Sequence, residues 1–245
     1  MTVALSPDGK VVASGGDDQT VQLWNTKTHE RIGQPLDQQP GRVNSVAFSP
    51  DGKLLASGSD DGTVLLRGAA THSFVKFIHT HSGGVLAVAF SPDSKILATG
   101  SKDGTVRLWN TTTGQPVGQA LRGHHGRVNS VAFSRDGTLA SGGQDGTVRL
   151  WDTTAHRSTA LSCRSPVFSV AFSHDGKTLA CGIAFQVLLW NRVTYQPKGP
   201  PLAICSGLVY SVAFSPVGDT FATGCGDDTV RLWNADTGER IGKSM

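Results

Sequence analysis

The stretch at residues 141–152, SGGQDGTVRLWD, contains a serine and an aspartate, Ser141 and Asp145, and His124 lies a short distance upstream. These three residue types form a catalytic triad, in which the histidine takes the serine proton and the aspartate orients the histidine. Such a triad also needs an exposed nucleophile, an oxyanion hole and a cleft. The first question is whether these residues form one active site or a feature that recurs along the chain.

The same residue types return at regular intervals. The string VAFS begins at five positions and its variant VALS at one: Val46, Val88, Val131, Val170 and Val212, and Val3. Five repeats have a tryptophan near their end: Trp24, Trp109, Trp151, Trp190 and Trp233. In the second repeat Arg67 takes its place. The chain is therefore six copies of one repeat of about 40 residues. We expect a single domain over 1–245, divided into repeats at about 1–39, 40–81, 82–124, 125–163, 164–205 and 206–245.

Within a repeat, short strand patterns alternate with turn signals. VNSVAFS (43–49), LLASGS (54–59) and TVLLR (63–67) have strand composition, and Asp-Gly turns separate them. A glycine- and proline-containing link, NTTTGQPVG (110–118), precedes a weaker fourth strand, QALRG (119–123). No window sustains the spacing of an amphipathic helix. Each repeat is predicted to be a four-stranded antiparallel sheet, and stacking such sheets face to face gives an all-β propeller.

The repeat VxSVAFSPDGxxLASGSxDGTVRLW resembles the WD-repeat family of β-propellers, and its sequence is also similar to the repeats of bacterial WD-repeat arrays. The likeness covers essentially the whole chain. The dipeptide that gives the family its name occurs once, at Trp151–Asp152, and the other tryptophans are followed by asparagine. The resemblance implies an all-β propeller of about six four-stranded antiparallel blades.

The resemblance also implies a structural role for the serine, histidine and aspartate. In WD repeats a His before the first strand, a Ser or Thr on the second, an Asp in the next turn and a Trp on the third form a buried tetrad. Two repeats carry complete sets: His81, Thr99, Asp103 and Trp109, and His124, Ser141, Asp145 and Trp151. A buried carboxylate needs hydrogen-bond donors, which such a set supplies. We predict no catalytic residues, because a recurring set is not one unique active site.

The other residues with ligand chemistry follow the repeat. Four cysteines occur without a CxxC pair: Cys163, Cys181, Cys205 and Cys225. Two stand at histidine positions and two on second strands, so we expect buried, reduced structural thiols and a cytoplasmic protein. A group of histidines is interpreted as tetrad and loop residues rather than metal ligands: His79, His81, His124 and His125. The sequence predicts no metal and no cofactor.

The bulk composition bears on partner classes. The net charge of +3 is too small to indicate a basic surface that binds nucleic acid. No apolar run approaches the roughly 18 residues of a membrane span, and no signal-peptide pattern opens the chain. We expect no nucleic-acid partner, no membrane attachment, and a monomer unless the chain belongs to a larger assembly.

Recognition in a propeller belongs to its loops, because the strands are scaffold. The resemblance implies that the loops entering first strands and the loops between second and third strands share one face, which commonly binds peptides or proteins. Residues that vary there form the predicted partner-binding face: Arg42, Asp60, Lys102, Arg127, Gln144, Phe168, Leu208 and Tyr210. We predict a non-catalytic interaction scaffold or sensor module. The alternative for Phe168 and Tyr210 is that they merely pack between blades.

The ends of the chain leave two arrangements open. Met1 aligns with Asn44, inside a first strand, and the chain ends at GERIGKSM (238–245). Six repeats can close a ring, or the chain can be part of a longer array. The alternative function is a fragment of a signalling ATPase or kinase fused to such an array. An enzyme that uses the propeller channel is the less favoured alternative.

Overall fold

The computed structural model describes residues 1–37, 39–153 and 157–245. These residues form β-strands, turns and bends and contain no helix. They divide into two compact halves, Met1–Arg122 and Gly123–Met245, which we name the N-terminal half and the C-terminal half. Each half contains three consecutive antiparallel sheets, which we name blades. The architecture confirms the predicted all-β class of propeller blades.

The N-terminal half contains blades one to three. Blade one consists of β1 (Thr2–Leu5), β2 (Val11–Gly15) and β3 (Val21–Asn25). Blade two consists of β4 (Val43–Phe48), β5 (Leu54–Ser59), β6 (Thr63–Gly68) and β7 (Phe74–His79). Blade three consists of β8 (Val85–Phe90), β9 (Ile96–Ser101) and β10 (Val106–Asn110).

The C-terminal half contains blades four to six. Blade four consists of β11 (Val128–Phe133), β12 (Leu139–Gly143), β13 (Thr147–Asp152) and β14 (Arg157–Ser162). Blade five consists of β15 (Ser169–Phe172), β16 (Thr178–Ile183), β17 (Gln186–Asn191) and β18 (Leu202–Ala203). Blade six consists of β19 (Val209–Phe214), β20 (Thr220–Cys225), β21 (Val230–Asn234) and β22 (Arg240–Ile241). Strands that follow one another in a blade pair antiparallel.

The fourth strand is the weakest element of the repeat, and blades one and three contain only three full strands. In blade three the fourth position is reduced to two isolated bridges, Val106 with Leu121 and Trp109 with Pro116. Proline has no N–H to donate to a strand ladder, so a proline in this segment limits pairing. The predicted class of four-stranded antiparallel blades is confirmed, and in blades one and three the fourth strand pairs through isolated bridges.

A serine and an aspartate form the turn between the first and second strands. In blade two the Ser49 hydroxyl donates to Asp51 Oδ1 over 2.6 Å, and its Oγ accepts the backbone N–H of Leu54 over 2.9 Å. The Asp51 carboxylate accepts the N–H of Lys53 at 3.1 Å. Side chains of this type satisfy turn backbone groups that the strands leave unpaired. The SPDG string thus folds locally into the hairpin that starts the blade.

Apolar side chains fill the space between adjacent blades of each half. In the N-terminal half, Leu23 and Leu55 belong to the cluster between blades one and two, and Val64 and Leu66 to the cluster between blades two and three. The C-terminal half has corresponding clusters on both faces of blade five. A thin sheet covers both faces only by stacking, and each fully buried valine or leucine contributes about 1.5–3 kcal/mol.

Close approach of the blades requires glycine on the second strand. A Cβ atom at Gly142 would lie 2.6 Å from Val167 Cγ1 and 3.0 Å from Val170 Cγ1. In blade two, a Cβ atom at Gly58 would lie 2.6 Å from Val85 Cγ1. Interiors packed at crystal density have no room for such contacts. The glycine of the LASG string therefore sets the distance between neighbouring blades.

We predict that Gly142→Ala lowers the free energy of unfolding by about 1–3 kcal/mol, because the added methyl group overpacks the interface between blades four and five. Gly224→Ala is the matched control, since Gly224 has the same position in blade six and a Cβ there meets nothing closer than Ser211 Cβ at 3.8 Å. Urea unfolding measures both variants. Equal losses in the two variants, or no loss in either, would contradict the packing role of Gly142.

Candidate functional site

Blade four brings the four predicted tetrad residues into one chain of hydrogen bonds. His124 precedes β11, Ser141 lies on β12, Asp145 lies in the following turn, and Trp151 lies on β13. His124 Nδ1 is 3.1 Å from both carboxylate oxygens of Asp145, and Nε2 is 2.7 Å from Ser141 Oγ. Trp151 Nε1–H donates to the same Oγ over 2.8 Å. The chain of bonds ties the entering segment, the second strand and the third strand together.

Blade three repeats this arrangement with a threonine. His81 Nδ1 is 3.0 Å from Asp103 Oδ2, and Nε2 is 2.7 Å from Thr99 Oγ1. Trp109 Nε1–H donates to Thr99 Oγ1 over 3.0 Å. The Thr105 hydroxyl supports the aspartate from the other side, with Asp103 Oδ1 at 2.6 Å. Both tetrads that are complete in the sequence therefore form complete hydrogen-bond networks in the structure.

The proton positions follow from what each group is able to donate. A carboxylate only accepts and an indole only donates, so the histidine between them has one assignment. His124 Nδ1–H donates to Asp145, and the Ser141 hydroxyl donates to Nε2 while accepting from Trp151. This assignment satisfies every member of the network with a neutral imidazole.

Burial and hydrogen bonding act in opposite directions on the two titratable groups. Burial lowers the pKa of His124, although Asp145 opposes it, so the imidazole is neutral in the fold. Burial also disfavours the charged form of Asp145, but the backbone N–H of His125, the Thr147 hydroxyl and His124 together lower its pKa to about 2. The pKa of His81 is lowered by burial in the same way.

The connectivity of serine, histidine and aspartate is that of a catalytic triad, but the serine is inaccessible. Ser141 is 0% exposed, as is Thr99 in blade three. The Ser141 Oγ also accepts the indole N–H, so a substrate carbonyl has no approach to it. A nucleophile must be reachable from a cleft. The geometry therefore supports a structural role for the set.

Blade six satisfies its turn aspartate with an arginine, which the sequence analysis did not assign. Arg231 Nη2 is 2.9 Å from Asp227 Oδ2, four residues back, and both side chains are mostly buried. The Thr229 hydroxyl and Arg231 hold the pKa of Asp227 well below its usual range. Trp233 Nε1–H still donates to Thr223 Oγ1 over 3.1 Å. The sequence contains a signal for this ion pair, because Arg231 lies on the third strand of blade six and no histidine precedes the first strand of that blade.

Blade two replaces two members of the set. Gln39 takes the histidine position, and its Oε1 accepts the Ser57 hydroxyl over 2.8 Å. Arg67 takes the tryptophan position, is 5% exposed and donates through Nη2 to the backbone carbonyl of Asp37. Gln39 shows that an amide serves as acceptor where blade four has an imidazole.

Blade one keeps only part of the set. Trp24 Nε1–H donates to Ser14 Oγ over 2.9 Å. The turn aspartate, Asp18, is exposed and accepts from Thr20 and Gln22 of its own turn and strand. A cavity of about 330 Å³ borders Ser14, Asp18 and Trp24.

The cysteines correct one expectation from the sequence. Cys205 and Cys225 form a disulfide with their Cα atoms 6.4 Å apart, so the expectation of reduced thiols is wrong for this pair. Cys163 and Cys181 are free and buried, in agreement with the expectation.

The disulfide has a geometric reason in the repeat. Cys225 corresponds to Gly143 of blade four, and a Cβ atom at Gly143 would lie 2.3 Å from His124 Nδ1. A side chain at this position therefore points at the residue that takes the histidine position, which is Cys205 in blade six. The pair was not predicted from the sequence, because Cys225 lies outside the four tetrad positions.

The entering segment and the turn after the second strand meet at one edge of a blade. In blade four the Gln144 N–H donates to the Arg127 carbonyl over 2.8 Å, and in blade six the Gly226 N–H donates to the Leu208 carbonyl over 2.8 Å. The two loop types of the predicted partner-binding face therefore lie side by side within these blades.

In the N-terminal half, the charged members of the predicted face form ion pairs with opposite charges nearby. Arg42 Nε is 2.8 Å from Asp17 Oδ1, and Lys102 Nζ is 2.5 Å from Asp60 Oδ1. Asn44 Nδ2–H donates to Asp60 Oδ1 over 3.0 Å. This part of the face is an internally paired polar surface.

In the C-terminal half the predicted face is aromatic. The rings of Phe168 and Tyr210, from blades five and six, meet edge to face with centroids 6.1 Å apart. Tyr210 is 57% exposed, whereas Phe168 and Leu208 are half-buried. A Cβ atom at Gly226 would lie 3.1 Å from Tyr210 Cε2, so this glycine lets the ring lie close to the turn. The ring contact means that the alternative, packing between blades, describes part of their role.

We name Arg127, Gln144, Phe168, Leu208 and Tyr210 the aromatic edge. Arg127 and Gln144 are exposed on blade four, and Asn129 Nδ2–H joins that blade to the Val167 carbonyl of blade five over 2.9 Å. The structure thus brings the C-terminal members of the predicted face together on three consecutive blades.

Among residues 1–37, 39–153 and 157–245, no three His, Cys, Asp or Glu side chains form a group able to hold a metal ion. The same described residues contain no helix of the length and apolar character that a membrane span requires.

The repeated blades and their hydrogen-bonded sets define a class of protein, the repeat proteins built from small antiparallel sheets. Comparison with known families places the chain within that class. It belongs to the family described as WD domain, G-beta repeat, which matches residues 1–25, 33–66, 72–110, 114–152, 155–191 and 199–234. The family membership predicted from the repeat is confirmed. No curated protein matches the chain.

We predict that Asp145→Ala lowers the free energy of unfolding by about 2–4 kcal/mol, because it leaves the N–H groups of His124, His125 and Thr147 without their acceptor. Asp18→Ala in blade one is the control, with an expected change within about 1 kcal/mol, since Asp18 is exposed. Urea unfolding followed by circular dichroism compares the two. Similar losses would show that the buried network of blade four adds nothing.

We also predict that stability falls as the pH is lowered from about 7 to 5. The two buried histidines have folded pKa values below the unfolded value of 6.5, so the unfolded chain binds protons that the folded chain does not. Their contribution is fully present above pH 6.5 and decreases below it, by up to about 1.4 kcal/mol per pH unit for each histidine. His124→Gln, which gives blade four the amide that Gln39 supplies in blade two, is expected to reduce this slope. A slope that is unchanged in the variant would contradict the assignment.

Proposed function

We propose that the chain is a non-catalytic protein-interaction module that binds a peptide segment of a protein partner at the aromatic edge. Propellers of this family are typically interaction scaffolds. The observation that carries the proposal is the edge-to-face pair of Phe168 and Tyr210, which leaves Tyr210 largely exposed. Large aromatic side chains at a rigid surface are the usual anchors of protein interfaces.

The backbone beneath the pair is held in place before any partner binds. The Phe168 N–H donates to the Gly182 carbonyl over 2.9 Å, and the Val209 N–H next to Tyr210 donates to the Ala184 carbonyl over 2.7 Å. A surface that is already ordered loses little conformational entropy when it binds. This supports a recognition role for the two rings beyond their mutual contact.

Charge favours the C-terminal half as the binding surface. The N-terminal members of the face, Arg42, Asp60 and Lys102, are compensated by ion pairs. Among the described residues, Arg127 takes part in no ion pair and is exposed. We therefore propose that the partner segment presents an apolar or aromatic side chain to Phe168, Leu208 and Tyr210, with an acidic residue beside it for Arg127.

The test begins with peptides selected by display on the whole protein. We expect the selected peptides to bind the double variant Phe168→Ala, Tyr210→Ala at least about tenfold more weakly, measured by titration calorimetry, because removal of hot-spot aromatics costs about 2 kcal/mol or more. Phe74→Ala is the control, since Phe74 is 52% exposed on β7 of blade two and is not a member of the aromatic edge. Peptides that bind the double variant as tightly as the unchanged protein would exclude the aromatic edge as the site.

A further inference from the structure

The last two blades each carry a cysteine pair that joins the entering segment to the second strand, with Cys181 at the hydroxyl position and Cys225 two residues beyond it. Cys163 and Cys205 lie in the segments entering β15 and β19, and Cys181 and Cys225 lie on the second strands β16 and β20. Each pair therefore spans the two elements that a histidine and a hydroxyl connect in blades three and four. There the His124 and Ser141 side chains meet at 2.7 Å.

The entering segments also carry the apolar part of the aromatic edge. Residues 163–168 run from the first cysteine to Phe168, and residues 205–210 run from the second to Leu208 and Tyr210. The far ends are fixed by backbone hydrogen bonds, including that from the Val167 N–H to the Gly143 carbonyl over 3.0 Å. The near ends are held by the hydrogen bonds from the Cys163 N–H to the Gly146 carbonyl over 2.8 Å and from the Ile204 N–H to the Phe185 carbonyl over 3.1 Å. A disulfide adds a covalent link to the second strand at this end, so the bonding state of each cysteine pair changes how firmly its segment is held there.

The two pairs are in different states. Cys205 and Cys225 are joined as a disulfide. Cys163 and Cys181 are free thiols in one core cluster, with exposures of 3% and 0%. A hydrogen bond from the Cys181 thiol lowers the pKa of Cys163 against the effect of burial, whereas burial raises the pKa of Cys181. The two thiols lie in one buried cluster, at the positions where the His124 and Ser141 side chains meet in blade four.

We propose that Cys163 and Cys181 are a redox-active pair that closes into a second disulfide, and that the two cysteine pairs together control how firmly the segments carrying Phe168 and Tyr210 are held. The redox chemistry and the change in segment mobility stand without the proposed function. Only the consequence for partner binding rests on it.

The oxidant we assign is a small peroxide, because the buried thiols exclude bulky disulfides. The Cys163 thiolate attacks one oxygen of hydrogen peroxide, the O–O bond breaks, and the released hydroxide takes up a proton to form water, leaving a sulfenic acid. The Cys181 sulfur then attacks the Cys163 sulfur, its thiol proton leaves with the departing hydroxide as a second water, and the S–S bond forms. Two thiols are oxidised and one peroxide is reduced to two waters. A dithiol reductant reverses the step by thiol–disulfide exchange.

The first measurement is disulfide mapping. The whole protein is treated with dithiothreitol or with hydrogen peroxide, free thiols are alkylated, and peptides are identified by mass spectrometry. We expect a Cys163–Cys181 linkage only after peroxide and a Cys205–Cys225 linkage that dithiothreitol removes. Thiols that stay free under peroxide, a sulfinic acid at Cys163, or a linkage between the two pairs would overturn the proposal.

The second measurement is amide hydrogen exchange of the same samples. We expect residues 164–168 and 206–210 to exchange at least about tenfold more slowly in the oxidised protein than in the reduced one. Residues 125–129, which follow the His124 network, are the internal control and should not change. The variant Cys163→Ser, Cys181→Ser should lose the effect at 164–168 and keep it at 206–210, and Cys205→Ser, Cys225→Ser should do the reverse. Exchange that is independent of redox state overturns the proposal even if both linkages form.

The selected peptides separate this inference from the proposed function. If exchange responds to oxidation but the peptides bind equally to the oxidised protein, the reduced protein and the Phe168→Ala, Tyr210→Ala variant, the redox pair stands and the proposed binding site fails. If the double variant loses the peptides but oxidation changes neither linkage nor exchange, the binding site stands and the redox pair fails.

Discussion

Where a blade has an aspartate in the turn after its second strand, the structure of the blade depends on how that carboxylate is satisfied. A carboxylate that leaves water must be met by donors, since its desolvation is otherwise prohibitive. In blades three and four a neutral histidine supplies the donor and passes the bonding on to a hydroxyl and an indole. In blade six Arg231 supplies the donor directly as a cation. In blade one Asp18 remains exposed, so no histidine is required.

These solutions explain why a serine, a histidine and an aspartate occur together without forming an active site. The same three donors and acceptors that activate a serine in an enzyme join three strands here, because the serine is buried and bonded to an indole. The blades that depart from the set are therefore informative. In blade five, cysteines take both the histidine and the hydroxyl positions. In blade six, a disulfide joins the histidine position to Cys225, while Thr223 keeps its bond to the indole.

The repeat made most of the fold predictable from sequence. Strand order, turn positions and the two complete networks follow from strings that recur six times, so each repeat checks the others. The four-stranded blade was predicted correctly, but the repeat pattern does not show that the fourth strands of blades one and three pair through isolated bridges, such as Trp109 with Pro116, rather than through a continuous ladder. The Cys205–Cys225 disulfide was missed because Cys225 lies two residues beyond the tetrad position of its strand, where blades one to four have glycine or serine. Exposure of Tyr210 and pairing of Asp60 depend on neighbours from other repeats, which the pattern of one repeat does not contain.

If the buried histidines are neutral structural donors to aspartate, nitrogen NMR of the histidine side chains will show it. At about pH 7 we expect His81 and His124 to be neutral with the proton on Nδ1, and to stay neutral as the pH is lowered through the ordinary histidine range. An imidazolium at neutral pH, or a proton on Nε2 in place of Nδ1, would rule out this role of the histidines.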